Sequence, residues 1–180
     1  QWLGFYRFDE YGGIDPDRFP EFGATLKSAM YREAQDFFTH IIRADRPVDE
    51  IVLADYTFVN AALANHYGVE FPVHGSLDAP PDQLRTRVTD DKRGGLFGLG
   101  AVLTTTSAPL RTSAVKRGDW VLRRILGTPV PPPPADAGSI AADDVVADGS
   151  TVRQRLEIHR QSSACINCHE RMDPLGFALE

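Results

Sequence analysis

The chain has 180 residues, 42% of them hydrophobic and 24% charged, with 19 Lys and Arg against 25 Asp and Glu for a net charge of −6. This length can bury a real core as one domain or two small ones, and the composition is that of an ordinary globular protein. No apolar run reaches the length that crosses a bilayer, and the modest negative charge argues against nonspecific nucleic-acid binding.

The opening QWLGFYRFDEYGG has no basic leader and no apolar core of a signal peptide. Trp2, Leu3, Phe5, Tyr6 and Phe8 crowd together as in the interior of a domain, so the chain is expected to be a piece of a longer protein. Residues 20–44 predict a long amphipathic helix with Leu26, Met30, Phe37, Ile41 and Ile42 near one face; Lys27, Arg32, Glu33 and Asp36 fall mostly elsewhere. A shorter helix is expected over VDEIVLAD after Pro47. Another is expected over DYTFVNAALANHYG, with Phe58, Ala62, Leu63 and His66 at helical intervals and Gly68 as its stop. Residues 69–92, rich in Pro, Asp and Gly, read as loop with room for a short strand.

RGGLFGLGAVLTTTS reads as a helix packed close to a neighbour. Ser113 then caps AVKRGDWVLRRIL, which ends at Gly127. TPVPPPP is expected to be extended polyproline, and ADAGSIAADDVVADGS a solvated acidic linker. Ser150 or Thr151 is placed to cap VRQRLEIHR, and Ser163 a last short helix through Met172, with Asp173-Pro174 ending it. The expected fold is mainly α: two small helical modules with long irregular loops, a proline-rich spacer, and a cysteine-histidine cluster near the C-terminal end.

Both cysteines of the chain stand in CINCH, residues 165–169. On a helix, positions i, i+3 and i+4 share a face, so Cys165, Cys168 and His169 project together. Two thiols and an adjacent imidazole in this order suit two thioether bonds to haem vinyl groups with His169 as proximal iron ligand, and C-x-x-C-H is the mark of c-type attachment. A zinc site would need a fourth ligand, for which His159 is nearest, and adjacent Cys168 and His169 make an awkward chelate. A thioredoxin-like pair wants a strand-turn-helix setting that is absent, and a disulfide across two residues would be strained. Met172 lies three residues beyond His169 on the same helix and cannot reach the opposite haem face. Met30, His40, His66, His74 and His159 remain as candidates for the second iron ligand. His159 shares a face with Val152 and Leu156, which equally suits a packed histidine. From Arg111 to Arg124 the chain holds Arg111, Lys116, Arg117, Arg123 and Arg124 against one acid, Asp119; any of these cations, Arg111, Lys116 and Arg117 first, is a candidate to hold haem propionates through carboxylate pairing, against the plainer reading of a solvated face.

QWLGFYRFD, FPEFGATLKSAMYREAQDFF and ADYTFVNAALANHYGV, followed by RGGLFGLGAVLTTTSAPLRTSAVKRGDWVLRRILGTPVPPPP and CINCHERMDPLGFALE, run in order over almost the whole chain. In these the chain resembles the large multidomain planctomycete cytochrome c proteins of bacterial envelopes, whose middle and C-terminal modules have no assigned function. Two departures are Ala114, where proline is expected after Thr-Ser, and Phe97-Gly98 in place of a more polar stretch; neither touches Cys165, Cys168 or His169. The resemblance implies a boundary near residue 91, with a helical module over 1–90 and a haem-binding one over 91–180, residues 130–149 forming a linker. It also implies one covalent haem c and further modules on either side.

These readings lead to the expectation of an electron-transfer haem module that works with other redox proteins or subunits of an envelope complex. A haem enzyme with an open sixth position and a structural subunit are the alternatives. Because haem is attached to C-x-x-C-H outside the cytoplasm, a periplasmic or envelope location is expected.

Overall fold

The computed structural model describes residues 1–71, 86–89, 93–133 and 149–180. His74 and the acidic part of the expected linker, 134–148, lie outside the described residues. The fold is mainly α, with one two-stranded sheet among the described residues. The chain forms two compact units: Gln1, Leu3–Gly12 and Phe19–Thr105 make the first; Trp2, Gly13–Arg18 and Thr106–Glu180 make the second.

The first unit is built on α1 (Ala24–Arg43), about 30 Å long at 1.5 Å per residue. Leu26, Met30, Phe37 and Ile41 are buried along it, as expected. Two positions differ from the expectation. Ile42 is 77% exposed, one step round from Ile41 and off the buried stripe. Glu33 is fully buried, because the spacing 26, 30, 33, 37 carries it onto the core face whatever its polarity. The short α2 (Glu50–Leu53) follows, and its Glu50 accepts from the Tyr56 hydroxyl at 2.7 Å and pairs with Arg46.

In place of the single helix expected from Asp55 to Gly68, the chain forms β1 (Tyr56–Val59) and then α3 (Ala61–Tyr67). The break is made by Asn60, whose side chain accepts from the Leu63 N–H at 2.9 Å as an N-cap. The β-branched and aromatic run Tyr-Thr-Phe-Val suits a half-buried strand, and it pairs antiparallel with β2 (Thr86–Thr89), Tyr56 opposite Thr89 and Val59 opposite Thr86. Phe58 is therefore on a strand, and His66 is exposed. Gly68 ends α3 at φ +68°, the expected stop. RGGLFGLGAVLTTTS is helical, as expected, in two pieces, α4 (Gly95–Gly98) and α5 (Gly100–Thr105). The core gathers Phe8, Leu26, Met30, Val59, Leu63 and Val88. Of the apolar and aromatic cluster at the start, Leu3 and Phe8 are buried while Trp2 and Tyr6 face solvent.

In the second unit Ser113 caps α6 (Ala114–Trp120), accepting from the Lys116 N–H, and the helix runs on through a π turn over Val121–Ile125. Thr151 caps α7 (Val152–His159) with a full capping box to Gln154. The last helix, α8 (Ser163–Phe177), is longer than expected and carries Pro174 inside it. Pro174 cannot donate to the Glu170 carbonyl four residues back, but Glu170 is exposed, so water can satisfy that oxygen. What holds the turn is its packing on α6. A Cβ at Gly118 would run into the Met172 carbonyl, and one at Gly176 into the Ala114 carbonyl, so the two helices lie backbone to backbone on either side of the proline.

Candidate functional site

Along one face of α8, Cys165 is buried, Cys168 is half-buried and His169 is buried. Both cysteines are free thiols. Together with Met172 they line a cleft of about 290 Å³. Val115 of α6 and the extended Val130–Pro133 supply apolar wall to it, and His159 of α7 joins the lining. The proline run, expected as a spacer, thus contributes to the site through its first three prolines, and Val130 is buried in the small core with Leu122 and Met172.

His169 is held by its neighbour one turn on. Its Nδ1 lies 2.9 Å from Oδ1 of Asp173, which is fully buried. A carboxylate accepts, so Nδ1 carries the proton and Nε2 is the nitrogen left to coordinate. The other carboxylate oxygen, Oδ2, has no hydrogen-bond donor among the described residues and meets the Arg160 Nε at 3.7 Å. Sequence reasoning misses Asp173 because Asp-Pro reads as the end of a helix; on a continuous helix, His169 and Asp173 stand at i and i+4.

His159 meets His169 edge to face, with ring centroids 4.8 Å apart. Two imidazoles on opposite sides of one metal ion, with bonds of about 2.0–2.1 Å, would have centroids roughly 6 Å apart. His159 therefore stands beside His169 as a packing partner in this arrangement. Of the other candidate second ligands, Met30 is buried in the core of the first unit, and His40 packs there against Tyr56 and Phe58. His66, exposed on the surface, is held below the ordinary histidine range by the desolvation its neighbours impose on the ring, with Arg93 adding to the effect.

The basic candidates separate. Lys116 lines the cleft and donates from Nζ to the Ser107 carbonyl at 2.6 Å. Arg117 is buried and turned to other work: Nη1 donates to the Leu179 carbonyl at 2.7 Å and faces Glu180 at 3.4 Å, and burial lowers its pKa. Arg111 donates to the carbonyl of Thr112. Arg123, from the same basic run, lines the cleft and makes a two-pronged pair with Asp119 at 3.0 and 3.2 Å. Its signal is the same basic run, which does not tell which turn of the helix faces the cysteines.

Among the described residues no group of three or more His, Cys, Asp or Glu side chains is gathered closely enough to hold a metal ion by itself, and no helix is long and apolar enough to cross a membrane.

Residues 1–69 match the family model PSD4, a protein of unknown function (DUF1592), and residues 93–180 match PSCyt3, a protein of unknown function (DUF1588). The chain thus carries two modules of unknown function in tandem, consistent with the resemblance to planctomycete-type cytochrome c proteins. A curated relative, atrochrysone carboxylic acid synthase PKS4 of Calonarius odorifer, is 24% identical over 130 residues. That alignment takes in 67% of this chain but only 7% of the relative's length. No solved structure matches the chain.

Proposed function

We propose that the second unit is a covalent c-type haem module acting in electron transfer within a larger cell-envelope redox assembly. The observation that carries this reading is the convergence of Cys165, Cys168 and His169 on one apolar-walled cleft, with the imidazole already fixed from behind by Asp173. The donor set fits the group. Two free thiols at i and i+3 match the two thioether links, and one imidazole with its Nδ1 engaged leaves the other nitrogen for iron. A zinc site fits less well, because the four side chains it would use are not gathered as a tetrahedral set.

Bound there, haem would supply reversible one-electron chemistry at its iron. The chain's own residues have three tasks. Cys165 and Cys168 would anchor the ring, and His169 would coordinate. Val115, Val130, Pro131 and Met172 would keep water from one side of it. Lys116 and Arg123 at the cleft are the cations available to propionates.

An absorption spectrum of the reduced protein in alkaline pyridine reports thioether-linked haem directly, with intact mass as the second readout. The native sequence, expressed in a host that attaches haem outside the cytoplasm, is expected to carry one haem per chain. The Cys165→Ala, Cys168→Ala double variant is expected to lose haem under denaturing electrophoresis. A bare polypeptide mass for the native sequence overturns the reading.

A haem enzyme with an open sixth position is the second reading. It is favoured by the cleft lining, in which the imidazole and thioether groups besides His169 are His159 and Met172, on the same helix or packed beside it. A high-spin ferric spectrum that shifts on adding cyanide supports this reading; a six-coordinate low-spin spectrum insensitive to it supports transfer.

A further inference from the structure

Asp173 is fully buried, sits one helical turn from His169 and, among the described residues, has one close partner, the Nδ1–H of that ring at 2.9 Å. A full carboxylate behind an imidazole draws its proton and pushes electron density toward Nε2, far more than a neutral carbonyl would. With haem in the cleft, the reading on which this inference rests, that density reaches the iron, and a more basic ligand favours the ferric over the ferrous state. The counter-charge on the far side is weak: Arg160 Nε lies 3.7 Å from Oδ2, outside hydrogen-bond range, and Arg160 is partly solvated. The carboxylate therefore acts mostly on the ring.

We propose that Asp173 is the positioning residue that sets the donor strength of His169, holding the haem of this module at a low reduction potential, with Arg160 as a partial counterweight. The two residues act in opposite directions. Neutralising Asp173 weakens the push; neutralising Arg160 strengthens it.

The test is a spectroelectrochemical titration of the full haem-loaded chain in the native form and as Asp173→Asn and Arg160→Gln, each with its haem content measured by the pyridine spectrum. Asp173→Asn is expected to keep one haem per chain and to shift the redox equilibrium toward ferrous at least tenfold, an upward move of about 59 mV for a one-electron couple. Arg160→Gln is expected to shift it the other way. Haem retained with an unchanged potential in Asp173→Asn overturns the proposal. If that variant fails to fold or load, Arg160→Gln decides: a downward shift supports the proposal, and an unchanged or raised potential overturns it. Absence of haem from the native chain sinks the haem reading itself, and it is registered before any potential is measured.

Discussion

Gly176 of α8 lies so close against the carbonyl of Ala114 at the start of α6 that no side chain fits between them. Gly118 stands in the reciprocal relation to the Met172 carbonyl. The obstructing atoms are backbone on both sides, so neither can swing away as a flexible side chain would. Gly176→Ala is therefore expected to force the helices apart and cost on the order of 3 kcal/mol, despite the better helix propensity of alanine. Denaturant unfolding of the purified chain checks this, and an unchanged midpoint would show that the contact is looser than its geometry. Because the same packing carries the face with Cys168 and His169, the variant's haem content should fall with its stability.

The Glu33 carboxylate accepts three hydrogen bonds, from the Thr57 hydroxyl at 2.6 Å, the Tyr67 hydroxyl at 2.7 Å and the Gly100 N–H at 2.9 Å. Burial is the largest influence on it and raises its pKa above the ordinary 4.5, with the three donors and Arg93 opposing. A group whose folded pKa is raised binds its proton more tightly in the folded state. Its contribution to stability is therefore complete below the unfolded pKa and is lost as pH rises through the folded one. The stability of the native chain relative to Glu33→Gln is expected to shrink as pH rises past the ordinary 4.5 and through the raised folded value. Unfolding both chains at several pH values reads this directly; a difference that grows with pH would show that the donors outweigh burial.

Glu33 also marks where the sequence misleads. Its polarity argues for a place off the core face, and its position on the 3.6-residue repeat for a place on it; the repeat wins because three donors meet the carboxylate there. The caps at Ser113, Thr151 and Gly68 are legible because each is a contact within a few residues. β1 is not, since its partner β2 begins 27 positions after Val59 and such pairing leaves no local period. The site divides the same way. Cys165, Cys168 and His169 stand out by spacing alone, whereas Asp173 is hidden by a proline rule that packing on α6 overrides, and Arg123 and the prolines enter the cleft only through the fold.

Arg117 is a structural cation, set apart from those that the proposed haem would call on. Its guanidinium ties the Leu179 carbonyl and Glu180 to α6 and approaches Ser107 Oγ at 3.4 Å, and its Nε is buried without an acceptor among the described residues. Arg117→Ala removes buried hydrogen bonds and leaves a hole, at an expected cost of about 2–4 kcal/mol. Haem per folded molecule should stay unchanged, since Arg117 is not among the residues that line the cleft. Lys116→Ala is expected to do the reverse, weakening retention of non-covalently presented haem with little effect on unfolding. Loss of haem in Arg117→Ala at full stability would return Arg117 to the propionate role.

His159 provides the sharpest check on how the iron would be ligated. Its edge-to-face contact with His169 is a packing interaction that a phenyl ring reproduces, worth about 0.5–1.5 kcal/mol. A phenyl ring cannot bind iron. His159→Phe is therefore expected to keep the native unfolding midpoint to within about 1 kcal/mol and to leave the spin state of the ferric haem as it was. His159→Ala should lose the packing contribution while again preserving the spectrum. A low-spin native protein that becomes high-spin in His159→Phe would mean that α7 swings its histidine across the ring when haem is present, and the packing role of His159 would fail.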